Sequence, residues 1–350
     1  MNLRMPAEWE EQEAIWLAWP RNKEDWPEKF EPIPWVYAEI IRYISRTQRV
    51  RLIVKNVREQ KQATDILDRA SVNLSLLDVI IIPTDRVWVR DSGPTFIYRD
   101  KERILLDWQF NAWAKYHNWS NDNGVSSRIA SYLALPLIQP TANIGGKDIP
   151  VVLEGGAIEV NGKGTLITTE ECLLSDIQCR NPGLSREGYE KVFAEYLGAS
   201  HVIWLKNGII GDDTHGHIDD LARFVDSNTV VIVVEKDKSA LNYILLKENL
   251  ERLKLARDQD GKPLNVVELP MPQAVIFDGQ HLPASYANFL ITNDCVLVPV
   301  FNDPNDRIAL NILSEVFPNR LVTGIYCGDF VWGLGTIHCA SQQEIAAVNP

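Results

Sequence analysis

Two stretches far apart in the chain carry the side chains best suited to covalent chemistry. Near the C-terminus, Gly333-Leu334-Gly335-Thr336-Ile337-His338-Cys339-Ala340-Ser341-Gln342-Gln343 is a glycine-punctuated segment with one cysteine. Between Gly211 and Asp220 lie Asp213, His215, His217 and Asp219. A cysteine in a polar, glycine-bearing loop is a better candidate for a reactive thiolate than one in an apolar run. Cys172, Cys179, Cys295 and Cys327 read instead as small hydrophobes. His338 is a poor base for Cys339, because neighbouring side chains of an extended segment point apart. His217, brought in by the fold, is the better partner.

An extended Gly211–Asp220 segment would put Asp213, His215, His217 and Asp219 on one face. Three readings fit that face. It can be a polar loop with locally satisfied histidines. It can be a zinc site of His215, His217 and Asp219, since H-x-H-x-D has ligand-like spacing. Such a metallohydrolase normally needs further histidines, and His117, His201, His281 and His338 form no second ligand motif. Or His217 can work as a general acid and base beside an orienting Asp219.

Two more motifs supply carboxylates. Trp88-Val89-Arg90-Asp91-Ser92-Gly93-Pro94 can be a turn closed by an Arg-Asp pair. It can also place Asp91 in a cleft, with Trp88 as an aromatic wall and Asp85 as a second acid. A buried carboxylate there matches the fork of a guanidinium. Leu153-Glu154-Gly155-Gly156 puts an acid before two glycines that permit close approach of backbone or ligand.

The bulk numbers narrow the class. The 350 residues are 45% hydrophobic and 23% charged, as in ordinary globular proteins. A net charge of −12 argues against a nucleic-acid binder and favours a small cationic substrate. Five cysteines without a CxxC pair point to reduced thiols and a cytoplasmic protein, not to a disulfide framework or zinc ribbon. The N-terminus has no signal-like apolar region, and no apolar run approaches the ~18–20 residues that span a bilayer. Neither a membrane nor a nucleic-acid partner is expected; homo-oligomerisation is left open.

The elements that must position these motifs alternate. Helices are predicted over 35–47, 58–70, 126–134, 186–197, 241–256 and 305–317 by 3.6-residue periodicity. Strands are predicted at 14–19, 50–54, 78–83, 137–138, 201–205, 264–269 and 320–326. A hairpin turning at Asn161-Gly162 is expected within 155–168. The apolar runs 229–234 and 296–300 read as strands buried on both faces. No Pro/Gly/Ser-rich linker divides the chain. One domain over 1–350, built from five similar helix–strand units, is the expectation.

The ordered motifs also carry a resemblance. Met5-Pro6-Ala7-Glu8-Trp9-Glu10, Trp88-x-Arg90-Asp91-x-Gly93-Pro94, Glu154-Gly155-Gly156, Gly216-His217-Ile218-Asp219, Leu282-Pro283-Ala284-Ser285-Tyr286-x-Asn288-Phe289 and Ile337-His338-Cys339 make the chain similar to the agmatine deiminases and bacterial peptidylarginine deiminases of the pentein superfamily. The resemblance implies a five-bladed, pseudo-symmetric α/β propeller and hydrolytic deimination without cofactor or metal. It implies Cys339 as nucleophile, His217 as general acid/base, Asp91 and Asp219 on the guanidinium, and Glu154 holding His217 or substrate. Trp88, Asp85, Asp213, Arg90 and Gly335 would contact substrate. Two positions depart from the usual agmatine deiminase pattern. Asp85-Arg86 stand where Asn-Asp is usual, and His215 stands where an aspartate is usual. Agmatine remains the expected substrate, with a peptidylarginine or another guanidino compound second.

Overall fold

The computed structural model describes residues 3–348. Five sheets repeat one plan: a short inner strand runs antiparallel to a middle strand, and a helix then crosses to a parallel outer strand. The first sheet joins Ser341–Ile345, Gln12–Ala18, Arg49–Val54 and Leu77–Ile81, with helices Ile33–Ile44 and Val57–Arg69. The second joins Thr95–Arg99, Glu102–Leu106 and Leu137–Ile138 across helix Val125–Leu133, with Leu3–Arg4 added outside Thr95–Arg99. The third is Glu159–Val160, Thr165–Thr169 and His201–Leu205, crossed by helix Arg186–Val192 and its continuation Phe193–Leu197. The fourth is Ala222–Phe224, Thr229–Val234 and Asn265–Pro270, with helix Tyr243–Leu255. The fifth is Leu290–Ile291, Cys295–Val300 and Leu321–Tyr326, with helix Pro304–Val316.

This is the expected five-bladed α/β propeller, the fold of the pentein superfamily. The chain ends tie the ring together: Leu17 near the N-terminus pairs antiparallel with Ser341 near the C-terminus. Parallel pairing with a helical crossover demands strands buried on both faces. Thr229–Val234 meets that demand at every position. Each crossover helix turns its apolar stripe onto its sheet, as Ile40, Ile41 and Ile44 do in the first blade.

Local chemistry sets the helix boundaries. Asp303 caps Pro304–Val316 in a reciprocal capping box with Asp306. Asp303→Ala is expected to lower unfolding stability by ~1 kcal/mol without changing turnover. Denaturant titration beside an activity assay checks this.

The inner strands position the site. Each is entered through one tight turn: Val89–Ser92, Gly155–Ala157, Ile218–Asp220, Ser285–Asn288 and Thr336–Ala340. Those turns carry or follow Asp91, Glu154, Asp219, Asn288 and Cys339, one polar residue per blade. All five side chains are buried.

The structure corrects two expected elements. Residues 211–220 are not extended. Asp212 accepts the backbone N–H groups of Thr214, Gly216 and His217, and His215 and Gly216 take φ of 67° and 95°. The hairpin near Asn161-Gly162 forms from Glu159–Val160 and Thr165–Thr169, but Gly155–Ala157 is a helical turn outside it.

Candidate active site

Cys339 and His217 come from the last and third inter-blade segments, and both are buried. The carboxylates gather around them. His217 Nδ1 lies 3.9 Å from Asp91 Oδ1 and 4.0 Å from Asp219 Oδ1, and Nε2 lies 3.8 Å from Glu154 Oε2. Cys339 Sγ lies 3.6 Å from Asp219 Oδ2. Both His217 nitrogens, Glu154 Oε2 and Asp219 Oδ1 are buried without a hydrogen-bond partner. Orphaned buried polar atoms are costly unless something else satisfies them, so a polar ligand is the natural completion.

Each acid is held by neighbours. Asp91 Oδ1 accepts the Gly156 N–H at 3.1 Å and Oδ2 accepts the Trp113 indole N–H at 2.9 Å. Gly156 is required here: a Cβ would sit 2.5 Å from His217 Nδ1. Glu154 is paired with the buried Arg180 at 3.0 Å. Asn288 donates from Nδ2 to Cys339 Sγ at 3.0 Å, and its Oδ1 accepts the Thr336 hydroxyl and the His338 N–H.

These surroundings set the charges. Burial pushes the Asp91 carboxyl up to about 6, with neighbouring Asp219 and Glu154 adding to the rise and His217 offsetting part of it. Burial would also raise Glu154, but the Arg180 guanidinium and then His217 pull it down to about 2. His217 is held well above the ordinary histidine range: burial opposes its charge, but Asp91, Cys172 and Glu154 together outweigh it. Cys339 is pushed well above the usual thiol range, first by burial and then by Asp219, Asp220 and Asp91. The resting pair is therefore an imidazolium and a neutral thiol. A cation placed between the acids favours the thiolate.

A cleft of about 560 Å³ opens onto Cys339 and Asp91. Trp88 forms one wall, stacked on Phe330 at 5.9 Å and tilted against Trp26 at 5.7 Å. Gly335 also lines the cleft, packed against Trp88, where a Cβ would press to 2.9 Å from the ring. Asp213 lies at the mouth, paired with Lys115 and accepting the Tyr116 hydroxyl at 2.7 Å.

Two expected substrate contacts are corrected. Asp85 does not line the cleft; its carboxylate accepts the Asn121 backbone and side-chain N–H groups at 2.9 and 2.7 Å. Arg90 lies behind the site, bonded to Gln343 and the His338 carbonyl. Its side chain faces the propeller interior because Asp91, one position on, faces the cleft. The zinc reading also loses its geometry. His215 turns to Ser175 and Glu171, away from His217 and Asp219. Among the described residues the converging donor set is Glu154, Cys172 and His217. Arg180 already neutralises that carboxylate, which disfavours a dication.

Sequence reasoning missed Trp113, Asn288, Arg180 and Cys172 as neighbours of the reacting groups. Trp113 sits in a left-handed turn, Ala112–Ala114, with φ between 50° and 57°. Three consecutive left-handed non-glycine residues are costly, and such strain gathers at functional sites. Asn288 lay within a quoted motif, so its signal was present without a role.

Fold and site together define a class: a propeller hydrolase that cleaves C–N bonds of a guanidino group. A sequence model of the Porphyromonas-type peptidyl-arginine deiminases matches residues 4–344, and the chain belongs to that family. The agmatine deiminase of Enterococcus faecalis is 31% identical over 99% of this chain and 97% of its own, with a TM-score of 0.89. A cysteine-to-serine variant of the C. jejuni agmatine deiminase, solved with substrate bound, is 30% identical over 99% and 97%, with a TM-score of 0.87. Fold alone extends to the amidinotransferase SxtG of Microseira wollei, 11% identical over 100% and 99% with a TM-score of 0.50.

Proposed function

We propose that the chain acts as one catalytic unit on a small guanidino cation. Agmatine is the first substrate, hydrolysed to N-carbamoylputrescine and ammonia. The observation that supports this most is the set of buried, unpaired atoms on His217, Asp219 and Glu154 beside Cys339. A planar guanidinium carries donors on all sides and completes the unpaired Asp219 and Glu154 oxygens. The agmatine deiminases among the similar structures and the net charge of −12 favour a small cation.

Asp91 and Asp219 draw positive charge onto the guanidinium nitrogens. Binding of the cation favours ionisation of the Cys339 thiol, whose proton passes to solvent, and the Sγ thiolate then attacks the central carbon. Protonated His217 gives its proton to the departing nitrogen as the C–N bond breaks. Ammonia leaves and a thiouronium remains on Cys339. Neutral His217 then takes a proton from water, which adds to the same carbon. The C–S bond breaks and the ureido product leaves. Among the described residues no helix is long and apolar enough to cross a membrane. We assign the enzyme to the cytoplasm on its five free thiols.

A second reading rests on the mouth of the cleft. Arg86 pairs there with Asp25 at 2.8 Å and lies over the Tyr116 ring at 4.2 Å, while Lys115 occupies Asp213. Two of the outer acids of the cleft, Asp25 and Asp213, are thus engaged by cations. That favours a substrate whose far end is neutral or carboxylate-bearing, such as an arginine-containing peptide. A colorimetric ureido assay with agmatine, arginine and an arginine peptide separates the readings. Peptide turnover with none on agmatine overturns the first, and loss of turnover in EDTA overturns the mechanism. Arg86→Asp is expected to raise kcat/KM for agmatine about tenfold relative to arginine, the effect of ~1.4 kcal/mol. No change in that ratio removes Arg86 from substrate choice.

A further inference from the structure

His338 precedes Cys339 in sequence yet faces away from it. It is buried between two acids, Glu8 near the N-terminus and Asp219 in the middle of the chain. Nδ1 lies 2.7 Å from Asp219 Oδ2 and Nε2 lies 2.8 Å from Glu8 Oε2. A neutral imidazole has one donor nitrogen and one acceptor nitrogen. Two ionised carboxylates on its two nitrogens are satisfied together only when both nitrogens carry protons. Glu8 is ionised: burial opposes this, but Arg223, His338 and Arg90 hold its carboxyl far below the usual range. Asp219 also lies below its usual range despite burial, chiefly through the His338 hydrogen bond and charge.

The consequence appears at Asp219. His338 occupies Oδ2, which also lies against the Cys339 sulfur, and leaves Oδ1 unpaired 4.0 Å from His217. Without the imidazolium, Asp219 Oδ2 keeps only the distant Cys339 thiol as a donor among the described residues. Glu8 is itself fixed: Oε1 accepts the Ile291 N–H, and Oε2 accepts from Arg223 as well as His338, each within 2.8 Å.

We infer that His338, clamped as an imidazolium between Glu8 and Asp219, is a positioning residue that orients Asp219 for the guanidinium and keeps it ionised. Glu8 is its anchor. This gives a role to the N-terminal Met5-to-Glu10 motif, which lies outside the reacting groups. The inference rests on the proposed role of Asp219 in gripping substrate.

The charged groups facing this relay form a buried cluster. Arg223 bonds Glu8 and Glu159 at 2.8 Å each, and Arg90 lies 3.6 Å from Glu8. His217, Asp91, Asp220 and Cys339 face Asp219 from the cleft side. Three carboxyls, Glu8, Glu159 and Asp219, thus stand against two guanidiniums and the His338 imidazolium. Removing the imidazolium charge leaves the carboxyls in excess, and Asp219 takes up protons more readily.

The test is the pH profile of kcat/KM for His338→Gln and the milder Glu8→Gln. In the wild type the acid limb reports Asp91, near pH 6. In His338→Gln the limb is expected to move up by about a unit or steepen to two protons, with kcat/KM down at least ~10-fold. Glu8→Gln should move it the same way by less. A merely structural role would lower yield or thermal stability and leave the limb in place. Unchanged profiles in the folded variants overturn the inference.

A second measurement is made on the wild-type protein and needs no substrate. In 15N-histidine-labelled wild-type protein, two imidazoles, those of His217 and His338, should show protons on both nitrogens at the assay pH. Assignment uses whichever of the His338→Gln and other histidine variants fold. A single proton on the His338 ring overturns the clamp. If both protons are present but no guanidino compound is turned over, the functional reading fails while the clamp stands.

Discussion

Cys339→Ala is expected to abolish ureido product, a loss of roughly 10,000-fold or more. No neighbouring group can replace the sulfur as nucleophile. His338 is engaged by two acids, and the described chain has no second cysteine lining the cleft. The fold should survive, because the change removes one atom and two hydrogen bonds, that from Asn288 and the long one to Asp219. Circular dichroism and a thermal midpoint within a few degrees of wild type would show this. The same site predicts an unusual reactivity. In free enzyme, burial and the carboxylates hold Cys339 as a thiol. Its alkylation by a neutral reagent should therefore be slower than that of a small free thiol at pH 7 and accelerate as pH rises. Full turnover by Cys339→Ala would sink the covalent mechanism.

Asp91→Asn is expected to cost roughly 100- to 1,000-fold in kcat/KM. The carboxylate accepts two fixed N–H groups, from Gly156 and from Trp113, while facing His217. An amide in that place has one acceptor oxygen, so its NH2 must oppose one of those donors. It also removes the foremost charge raising His217, so the general acid becomes easier to deprotonate. The sign of the pH effect follows. Asp91 is neutral below about 6 and ionised above it. Only the ionised form attracts a guanidinium, so wild-type kcat/KM should fall as pH drops through about 6. In Asp91→Asn that limb should vanish and the basic limb should move to lower pH. A wild-type acid limb retained in the variant would assign it to another group.

Much of the propeller was legible because its crossover elements are long and strongly patterned. Helices Ile33–Ile44 and Pro304–Val316 lie within about two residues of their expected starts, and strands His201–Leu205 and Thr229–Val234 coincide with expectation. The inner strands were not legible. Ser341–Ile345 is fully buried, yet reads Ser-Gln-Gln-Glu-Ile. Its polar side chains find partners on the adjacent strand and the next turn: Gln342 donates to the Pro94 carbonyl, Gln343 accepts from Arg90, and Glu344 accepts from Trp16. Hydropathy cannot mark a strand whose burial is satisfied by hydrogen bonds from neighbouring elements.

By its residue types and their order, the sequence determined the alternation of helix and strand, the thiol, imidazole and acids suited to a guanidinium, and the family in which they recur. Tertiary structure decided which acids face the cleft. Adjacent Arg90 and Asp91 part to opposite sides of one short turn, Asp85 is taken up by Asn121, and His215 is swung away by a loop wrapped around Asp212. It also decided the role of His338, rejected as a base for its neighbour Cys339 and found instead joining Glu8 to Asp219. The reason is geometric. Side-chain direction depends on local φ and ψ and on which distant donors are in reach, and neither is written in the spacing of residues along the chain.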